Sequence, residues 1–387
     1  MLDGSGASMQ PDMQLEVRAG RICAVNSRAA NEPLGFNVLD LSDHTVLPAL
    51  IDSHVHLFMS ATADSTVREH QLVATYAELK ATIARHLDQH FENGVVAVRD
   101  GGDRYGHVLR FKQAITESAP LPVALKTAGR AWHASGRYGR LIGRSPGKGQ
   151  SLSTAVAAAL APAVAIDHIK LVNSGLNSLK AFGHQTAPQF APQEIRAVVK
   201  LARTSQLKVM VHANGVRPVR EAVESGCDSI EHGFFMGPDN LKRMADHQVT
   251  WVPTAITMKA YAEQLAPASA AAATALKNYE HQLEQIAFAK RSGVRIALGT
   301  DAGSLGVRHG YAVRQELEIL IMAGFALEEA VRCATYNGAR LLGLDHLGTL
   351  TAGKTATFLA VPGPPEMLLQ HMSQATLYSE ACALGPF

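Results

Sequence analysis

Short apolar runs alternate along the chain with longer stretches in which apolar residues recur every three or four positions. The runs are rich in valine, isoleucine and leucine, a composition typical of strands that are buried on both faces. They predict strands over residues 46–57, 95–100, 122–129, 168–172, 208–214, 229–233, 250–254 and 295–301. The periodic stretches predict helices over residues 66–92, 107–118, 150–161, 192–205, 216–225, 238–247, 258–292 and 311–324.

This alternation of buried strands and helices indicates an α/β fold with a parallel sheet covered by helices. Eight strand–helix units suit a (β/α)8 TIM barrel, which we assign to residues 46–347. A doubly wound open sheet is the competing architecture, but it normally needs only about five or six strands.

The two ends of the chain have a different pattern, with shorter strands and turns. Residues 15–18 and 21–25 flank Ala19-Gly20 and predict a hairpin, and residues 348–361 have the same short-strand character. We therefore expect both ends, residues 1–45 and 348–387, to form one small β-sandwich-like domain. The tail over residues 362–387 stays unassigned, either as a helix with a loose end or as an oligomer contact.

Charge and cysteine usage exclude several classes of protein. The chain has 36 basic and 34 acidic residues, a net charge of +2, and no dense basic run, so nothing favours nucleic acid or a membrane surface as a partner. Its four cysteines form no Cys-x-x-Cys pair and suit a reducing compartment. No apolar segment approaches the roughly 20 residues of a membrane span, and the N-terminus lacks a signal-peptide pattern, so we expect a cytoplasmic protein.

Polar residues stand at the carboxyl ends of five predicted strands, where barrel enzymes carry their chemistry. His54 and His56 end the first strand, and their spacing points both imidazoles to one face. The other four residues lie on the fourth, fifth, sixth and eighth strands; they are Lys170, His212, His232 and Asp301.

Each of these residues has an ordinary interpretation when it is taken alone. A histidine near a strand end is often a satisfied polar group, a lysine in an apolar run can extend its amine to solvent, and Asp301 could form a turn before Ala302-Gly303. Their coincidence at five of eight strand ends favours one joint site. Imidazoles and a carboxylate suit borderline divalent ions such as zinc. A buried lysine loses its charge more readily, and a neutral amine can take up carbon dioxide to form a carbamate that bridges two ions.

These motifs in this order resemble the amidohydrolase superfamily, and specifically its binuclear members with a carboxylated lysine on the fourth strand. Several motifs are also similar to the imidazolonepropionase-like and Xaa-Pro dipeptidase (prolidase-like) branch. These motifs are residues 48–54, 230–233, 299–303, 334–339 and 348–350 with Gly353-Lys354. Two departures are Ala49 after Pro48, where the family usually has glycine, and Thr357 after Ala356, where it usually has aspartate.

The resemblance implies a role for each residue of the site. His54 and His56 would bind one divalent ion together with Asp301, His212 and His232 would bind the second, and carboxylated Lys170 would bridge both. The ions are expected to be zinc. A hydroxide that bridges them would attack the scissile carbonyl, while Asp301 accepts the proton and passes it to the leaving amine.

The substrate is expected to contact the loop after the third strand. On the same resemblance, His133 and Tyr138 are candidate substrate-binding residues, and Arg137 could pair with a substrate carboxylate. An ordinary glycine-rich surface loop is the alternative interpretation. Residues 309–311 form another candidate wall of the site.

The leading hypothesis is therefore a metal-dependent hydrolase of amide bonds that acts on a dipeptide or N-acyl amino acid. A cyclic-amide hydrolase or a deaminase is the alternative, although deaminating relatives usually keep one metal and lack the lysine. A catalytically silent binding protein on the same fold is a third hypothesis. We expect a small-molecule substrate, no nucleic-acid or membrane partner, and a homo-oligomer.

Overall fold

A computed structural model describes residues 1–28, 37–116, 121–160, 165–379 and 382–386. The strands are β1 (Met13–Arg18), β2 (Arg21–Ser27), β3 (His44–Pro48), β4 (Leu50–Val55), β5 (Val95–Asp100), β6 (Ala124–Thr127), β7 (Ala131–Trp132), β8 (Gly143–Arg144), β9 (His168–Val172), β10 (Lys208–Ala213), β11 (Ser229–His232), β12 (Thr250–Val252), β13 (Thr357–Pro362), β14 (Thr376–Ser379) and β15 (Cys382–Pro386). The helices are α1 (Ser65–Val73), α2 (Tyr76–Glu92), α3 (His107–Thr116), α4 (Leu152–Leu160), α5 (Pro192–Thr204), α6 (Val216–Glu224), α7 (Pro238–Asp246), α8 (Ile256–Gln264), α9 (Ala270–Arg291), α10 (Tyr311–Met322), α11 (Leu327–Ala334), α12 (Tyr336–Leu342) and α13 (Leu368–His371). Predicted helix ends at residues 117–118 and 161, and residues 29–36 of the predicted small domain, lie outside the described ranges.

Parallel strands form the predicted TIM barrel. β4, β5 and β6 pair in parallel, and so do β9, β10, β11 and β12. The Asp167 amide donates to the Thr127 carbonyl at 2.9 Å and joins β6 to the start of β9. Most barrel strands, such as β5, are almost wholly buried because helices cover the outside, whereas β6 alternates half-buried and buried residues.

The barrel is closed by residues 295–302, the predicted eighth strand. This segment is held by isolated bridges rather than a continuous ladder: Ile296 pairs with Trp251 and Ala302 pairs with Val55. Its backbone passes so close to β4 that a Cβ on Gly299 would lie 2.9 Å from the His54 amide nitrogen. The segment therefore delivers Asp301 to the rim without being a regular strand.

The first predicted strand, residues 46–57, is wrong as a single element. β3 pairs antiparallel with β13 in the small sheet, whereas β4 belongs to the barrel. The change occurs at Ala49, whose amide donates to the Thr357 carbonyl, while the next amide, that of Leu50, donates to Gly94. Pro48 has no amide hydrogen and suits the end of the first ladder.

The small antiparallel sheets use both chain ends. One has the order β15-β14-β13-β3, and β1 pairs with β2 in the predicted hairpin, with Ala19 and Gly20 at positive φ. The tail was expected to be a helix with a loose end or an oligomer contact. It forms a short helix as expected, but β14 and β15 follow the helix, and these strands were not predicted from the sequence. The proposed limits of the small domain stay a prediction.

Two long predicted helices are each divided in the structure. Residues 66–92 form α1 and α2, because Thr75 starts a new helix with a capping box in which its amide donates to Glu78 at 2.7 Å. Residues 258–292 form α8 and α9, and the Ser269 hydroxyl caps the second. No helix within the described ranges is long and apolar enough to cross a membrane.

Candidate metal centre

The first two candidate ligands lie at the end of β4. His54 Nδ1 donates to the Glu231 carboxylate at 2.7 Å, and His56 Nδ1 donates to the Gly102 carbonyl at 3.0 Å. In both rings Nε2 therefore keeps a lone pair that a metal ion could accept. Each Nε2 lies 3.6 Å from Asp301 Oδ1. One ligand atom from each of these three residues lies within 4.8 Å of the other two. This is a geometry that could hold one cation.

The second histidine pair adjoins the first across the barrel mouth. The ring centroids of His212 and His232 are 4.6 Å apart, and His232 is 4.9 Å from His54. His212 Nε2 donates to the Gly175 carbonyl, which leaves Nδ1 free as a ligand atom. His232 Nδ1 bonds to the Thr254 hydroxyl at 2.8 Å, which leaves Nε2 free.

Lys170 is buried in the middle of β9 with 1% of its surface exposed. Its Nζ atom has no hydrogen-bond partner among the described residues. Burial lowers the pKa of Lys170 to about 8, and the charge of Glu231 opposes that shift. The charge of Lys170 in turn lowers the pKa of all four histidines, so the amine lies near the imidazole cluster.

Burial keeps these imidazoles neutral at physiological pH, the state that metal coordination requires. It lowers the pKa of His56 to about 4 and that of His212 to about 3, and it lowers the pKa values of His54 and His232 well below the ordinary range. Burial has the opposite effect on Asp301 and raises its pKa to about 7, opposed by a hydrogen bond from the Ser304 hydroxyl and by the charge of Lys170.

Three observations show that the residues present fit a divalent metal centre. Lys170 Nζ and His54 Nε2 are buried and have no hydrogen-bond partner in the described part of the chain, although such atoms are normally satisfied. The donor set of imidazoles and a carboxylate suits borderline ions. A Cβ on Gly101 would lie 2.7 Å from His56 Cε1 and 3.4 Å from His54 Nε2, so the absent side chain leaves room beside the ligands.

The family model described as "Amidohydrolase family" matches residues 45–382 of the sequence. The chain belongs to the amidohydrolase family. This confirms the family predicted from the strand-end motifs, and it supports a hydrolase that acts on carbon–nitrogen bonds.

Several proteins are similar to this amidohydrolase over part or nearly all of its length. An uncharacterized protein of Mycobacterium bovis is 23% identical over 355 residues, which cover 90% of this chain and 88% of that protein. Ochratoxinase of Aspergillus niger is 27% identical over 189 residues, covering 46% of this chain and 37% of ochratoxinase. The crystal structure of a Xaa-Pro dipeptidase with bound methionine superimposes with a TM-score of 0.81 at 25% identity, covering 98% of this chain and 97% of that one.

The groups that orient the amidohydrolase's ligands were not predicted from the sequence. Glu231 lies between His54 and Arg99, whose guanidinium donates to it at 2.9 and 3.0 Å, and the Ser229 hydroxyl donates at 2.5 Å. The signal was present, because Glu231 and Arg99 are charged residues inside apolar runs, as Lys170 is. Such partners fix ring orientation and tautomer in metal sites.

Two buried aspartates hold the ligand-bearing backbone. Asp52 accepts hydrogen bonds from the Thr300 hydroxyl and amide at 2.6 and 3.0 Å, which ties β4 to the closing segment. Asp100 accepts from the amides of Leu57 and Gly102 at 2.9 Å each. Burial raises the pKa of both carboxyls to about 7.

The structure distinguishes the candidate substrate residues by position. The Tyr138 ring lies 5.3 Å from the His212 ring, and burial followed by the charge of Asp301 raises the pKa of Tyr138. His133 is buried and hydrogen-bonds through Nδ1 to Ala134. Arg137 is exposed and donates to the Ala187 carbonyl at 2.8 Å. Of these three, the ring contact places only Tyr138 directly against a candidate ligand.

Another cation near the centre was absent from the sequence predictions. One nitrogen of Arg68, Nη1, donates to the carbonyls of Ser60 and Gly303 at 2.7 and 3.1 Å. Burial lowers the pKa of Arg68, while the charges of Tyr261 and Asp301 oppose that shift. Its helix, α1, was expected only as part of a longer helix, so no sequence signal linked it to the rim.

Residues 309–311, which were predicted to form a wall of the substrate site, lie partly in the protein interior. His309 is buried, donates from Nε2 to the Met59 carbonyl at 2.9 Å, and stacks on His86 with ring centroids 4.0 Å apart. His309 therefore supports the loop after β4 from behind.

Proposed function

We propose that this amidohydrolase cleaves the amide bond of a small substrate with a free carboxylate, such as a dipeptide or an N-acyl amino acid. The observation that carries the proposal is the buried, unpartnered amine of Lys170, which lies near four neutral imidazoles and Asp301. Bound divalent ions, which we propose to be zinc, would polarise the scissile carbonyl and make water acidic enough to attack it near neutral pH.

The proposed ligand assignment follows the hydrogen-bond pattern. His54 and His56 with Asp301 would hold one ion, and His212 and His232 would hold the other. Lys170 would bridge both as a carbamate, formed when its neutral amine adds to carbon dioxide through a new N–C bond and releases one proton. A pKa of about 8 leaves part of the Lys170 population neutral at physiological pH, which supports this step.

Asp301 is the proposed proton carrier. A carboxyl with a pKa of about 7 can both accept and release a proton near neutrality, which general acid–base catalysis requires. We propose that it accepts the proton of the attacking water and delivers it to the leaving nitrogen.

We propose Arg68 as the partner of a substrate carboxylate. Its Nη1 is anchored by two carbonyls, so the remaining donors are held in a fixed orientation close to Asp301. A guanidinium binds carboxylates through paired hydrogen bonds. His133 and Tyr138 stay candidate contacts, and Arg137 is the alternative carboxylate partner. We further propose a cytoplasmic setting and a homo-oligomer.

Metal analysis with a matched variant tests the proposed centre. We expect about two zinc ions per chain when the protein is loaded in the presence of bicarbonate. Lys170→Ala should lose at least one ion and most amide hydrolysis, and short carboxylic acids should restore part of both. Hydrolysis would be screened with dipeptides and N-acyl amino acids.

Two results would contradict the proposal. A single ion per chain that is indifferent to bicarbonate, with deamination as the activity found, would favour a deaminase. Full hydrolysis by Lys170→Ala would exclude the bridging role.

A further inference from the structure

A cavity lies at the other end of the barrel from the candidate metal centre. Its volume is about 320 Å³, within the range of small-molecule sites. It is lined by residues at the starts of barrel strands, including Lys208 at the start of β10, Asp228 just before β11, and Arg295 at the start of the closing segment.

The cavity and the metal centre share strands but not residues. The strand that begins with Lys208 reaches His212 four residues later, and the closing segment runs from Arg295 to Asp301. At about 3.3 Å per residue, four residues of strand separate the two sites by roughly 13 Å. A ligand in this cavity would therefore not touch the proposed catalytic residues.

The charges that line the cavity are mostly positive. Four cationic side chains line it, from Arg203, Lys208, Arg295 and Arg340, against the single carboxylate of Asp228. That carboxylate already accepts the Val209 amide at 2.7 Å. The whole chain has a net charge of only +2, so this concentration of charge is local.

Lys208 is held in place close to the charge of Asp228, whereas two of the arginines are unpaired in the described part of the chain. Lys208 Nζ donates to the carbonyls of Arg340 and Leu341 at 2.7 Å each, which fixes the ammonium at the end of α12. Among the described residues, neither the half-buried Arg295 nor the exposed Arg340 forms a salt bridge or a side-chain hydrogen bond. Burial lowers the pKa of Arg295, and the charge of Arg340 adds to that effect.

We propose that this cavity binds a small dianion, in the class of phosphate monoesters and sulfate. Such a ligand would pair with the guanidinium groups of Arg295 and Arg340 and with the ammonium of Lys208, relieving their mutual repulsion. Arginine presents a planar fork of donors that matches tetrahedral oxyanions. The apolar and backbone lining leaves room for an organic group on a phosphate ester.

Calorimetric titration of the metal-loaded protein tests this site. Sulfate and glycerol 3-phosphate would be the probes, because both bind zinc less strongly than chelating polyanions do. Sodium chloride would keep the ionic strength constant. We expect saturable binding of one dianion per chain. A tighter fit of glycerol 3-phosphate would identify a phosphate ester as the ligand, and equal affinities would identify the bare oxyanion.

Variants distinguish the cavity from the metal centre. Arg340→Gln removes an exposed charge with little risk to folding, and the double variant Arg295→Gln/Arg340→Gln should weaken binding at least ten-fold. Arg196→Gln on α5 is the matched control, because this exposed arginine loses the same charge outside the cavity, and it should bind as the unaltered protein does. Equal binding by all variants, or no saturable binding, would overturn the proposal.

Discussion

At the scale of single residues, the candidate centre depends on the absence of a side chain at residue 101 as much as on its ligands. Gly101 lies directly beside His56 and His54, and any side chain there would enter the space that the ligand nitrogens face. His56 cannot easily turn away, because its Nδ1 is held by the Gly102 carbonyl. The site is therefore sensitive to a single methyl group.

Gly101→Ala should lower metal affinity about ten-fold or more, since its Cβ would lie 2.7 Å from His56 Cε1. Metal content after dialysis and the rate of amide hydrolysis would measure the effect. Gly147→Ala is the matched control, because a Cβ there would meet only the Gln150 side chain. Normal metal content in Gly101→Ala would contradict the proposed position of the ions.

Arg68→Met should raise the KM for a substrate with a free carboxylate about 10- to 100-fold, because a charged hydrogen bond contributes roughly 1.5–3 kcal/mol. The kcat should change much less, and a substrate in which the carboxylate is amidated should not respond. Arg137→Met provides the comparison, since Arg137 is exposed and bonds to the Ala187 carbonyl. A larger effect of Arg137→Met would assign the carboxylate to the strand-3 loop instead.

At the scale of elements, the connection after β4 rests on a buried group of three histidines. His86 donates from Nδ1 to the Leu57 carbonyl at 2.8 Å and bonds through Nε2 to the Ser60 hydroxyl, so it holds the loop that follows His56. His90 Nε2 bonds to His309 Nδ1 at 3.2 Å, and His309 holds Met59. All three rings are neutral in this pattern, and their hydrogen bonds are satisfied in the described part of the chain except at His90 Nδ1.

The stability of this region should fall with acidification. Burial lowers the pKa of His86 from 6.5 to about 4 and that of His90 to about 3. The unfolded chain takes up protons below pH 6.5 while the folded chain does not, so stability is lost as the pH falls from 6.5 towards 4. At pH 5 the loss from His86 alone is about 2 kcal/mol.

Urea unfolding at pH 7.5 and pH 5, with a chelator present, would measure this loss. His86→Gln should lose about 2 kcal/mol less than the unaltered protein between these pH values, whereas His184→Gln, which removes an exposed histidine, should behave as the unaltered protein does. The same pH dependence in all three proteins would show that His86 titrates normally.

At the scale of the whole molecule, barrel closure depends on the segment that carries Asp301. Gly299 lies close to Val252 of β12 and to the His54 backbone. The closing segment can approach both neighbours this closely because residue 299 has no side chain. This close approach replaces the continuous ladder that other barrel strands form.

Gly299→Ala should therefore destabilise the protein by about 1–3 kcal/mol through overpacking and should also impair metal binding, because the crowding falls on the His54 backbone. Thermal unfolding and metal analysis, again with Gly147→Ala as the control, would test this. An unchanged melting temperature would mean that the closing segment can shift away from β4.

The sequence allowed functional residues to be predicted where they lie at the ends of apolar strands. His54, His56 and Asp301 could be predicted because each ends an apolar run, and the structure brings them together. Arg99 and Glu231 stand out as charged residues inside apolar runs, but nothing in the sequence showed that they pair with each other across the barrel interior. The break at Ala49 was equally hidden, since both sheets require the same buried, apolar residues.

The change from the terminal sheet to the barrel at Ala49 has a mechanical consequence. Ala49 alone separates the last residue of β3 from the first residue of β4, and one residue spans about 3.8 Å of chain. So short a tether leaves little chain to absorb a tilt of the terminal sheet before it reaches the strand that bears His54. Domain-grafting experiments on this scaffold must therefore conserve the five-residue spacing between Ala49 and His54, because a single inserted residue would rotate the imidazole out of the barrel.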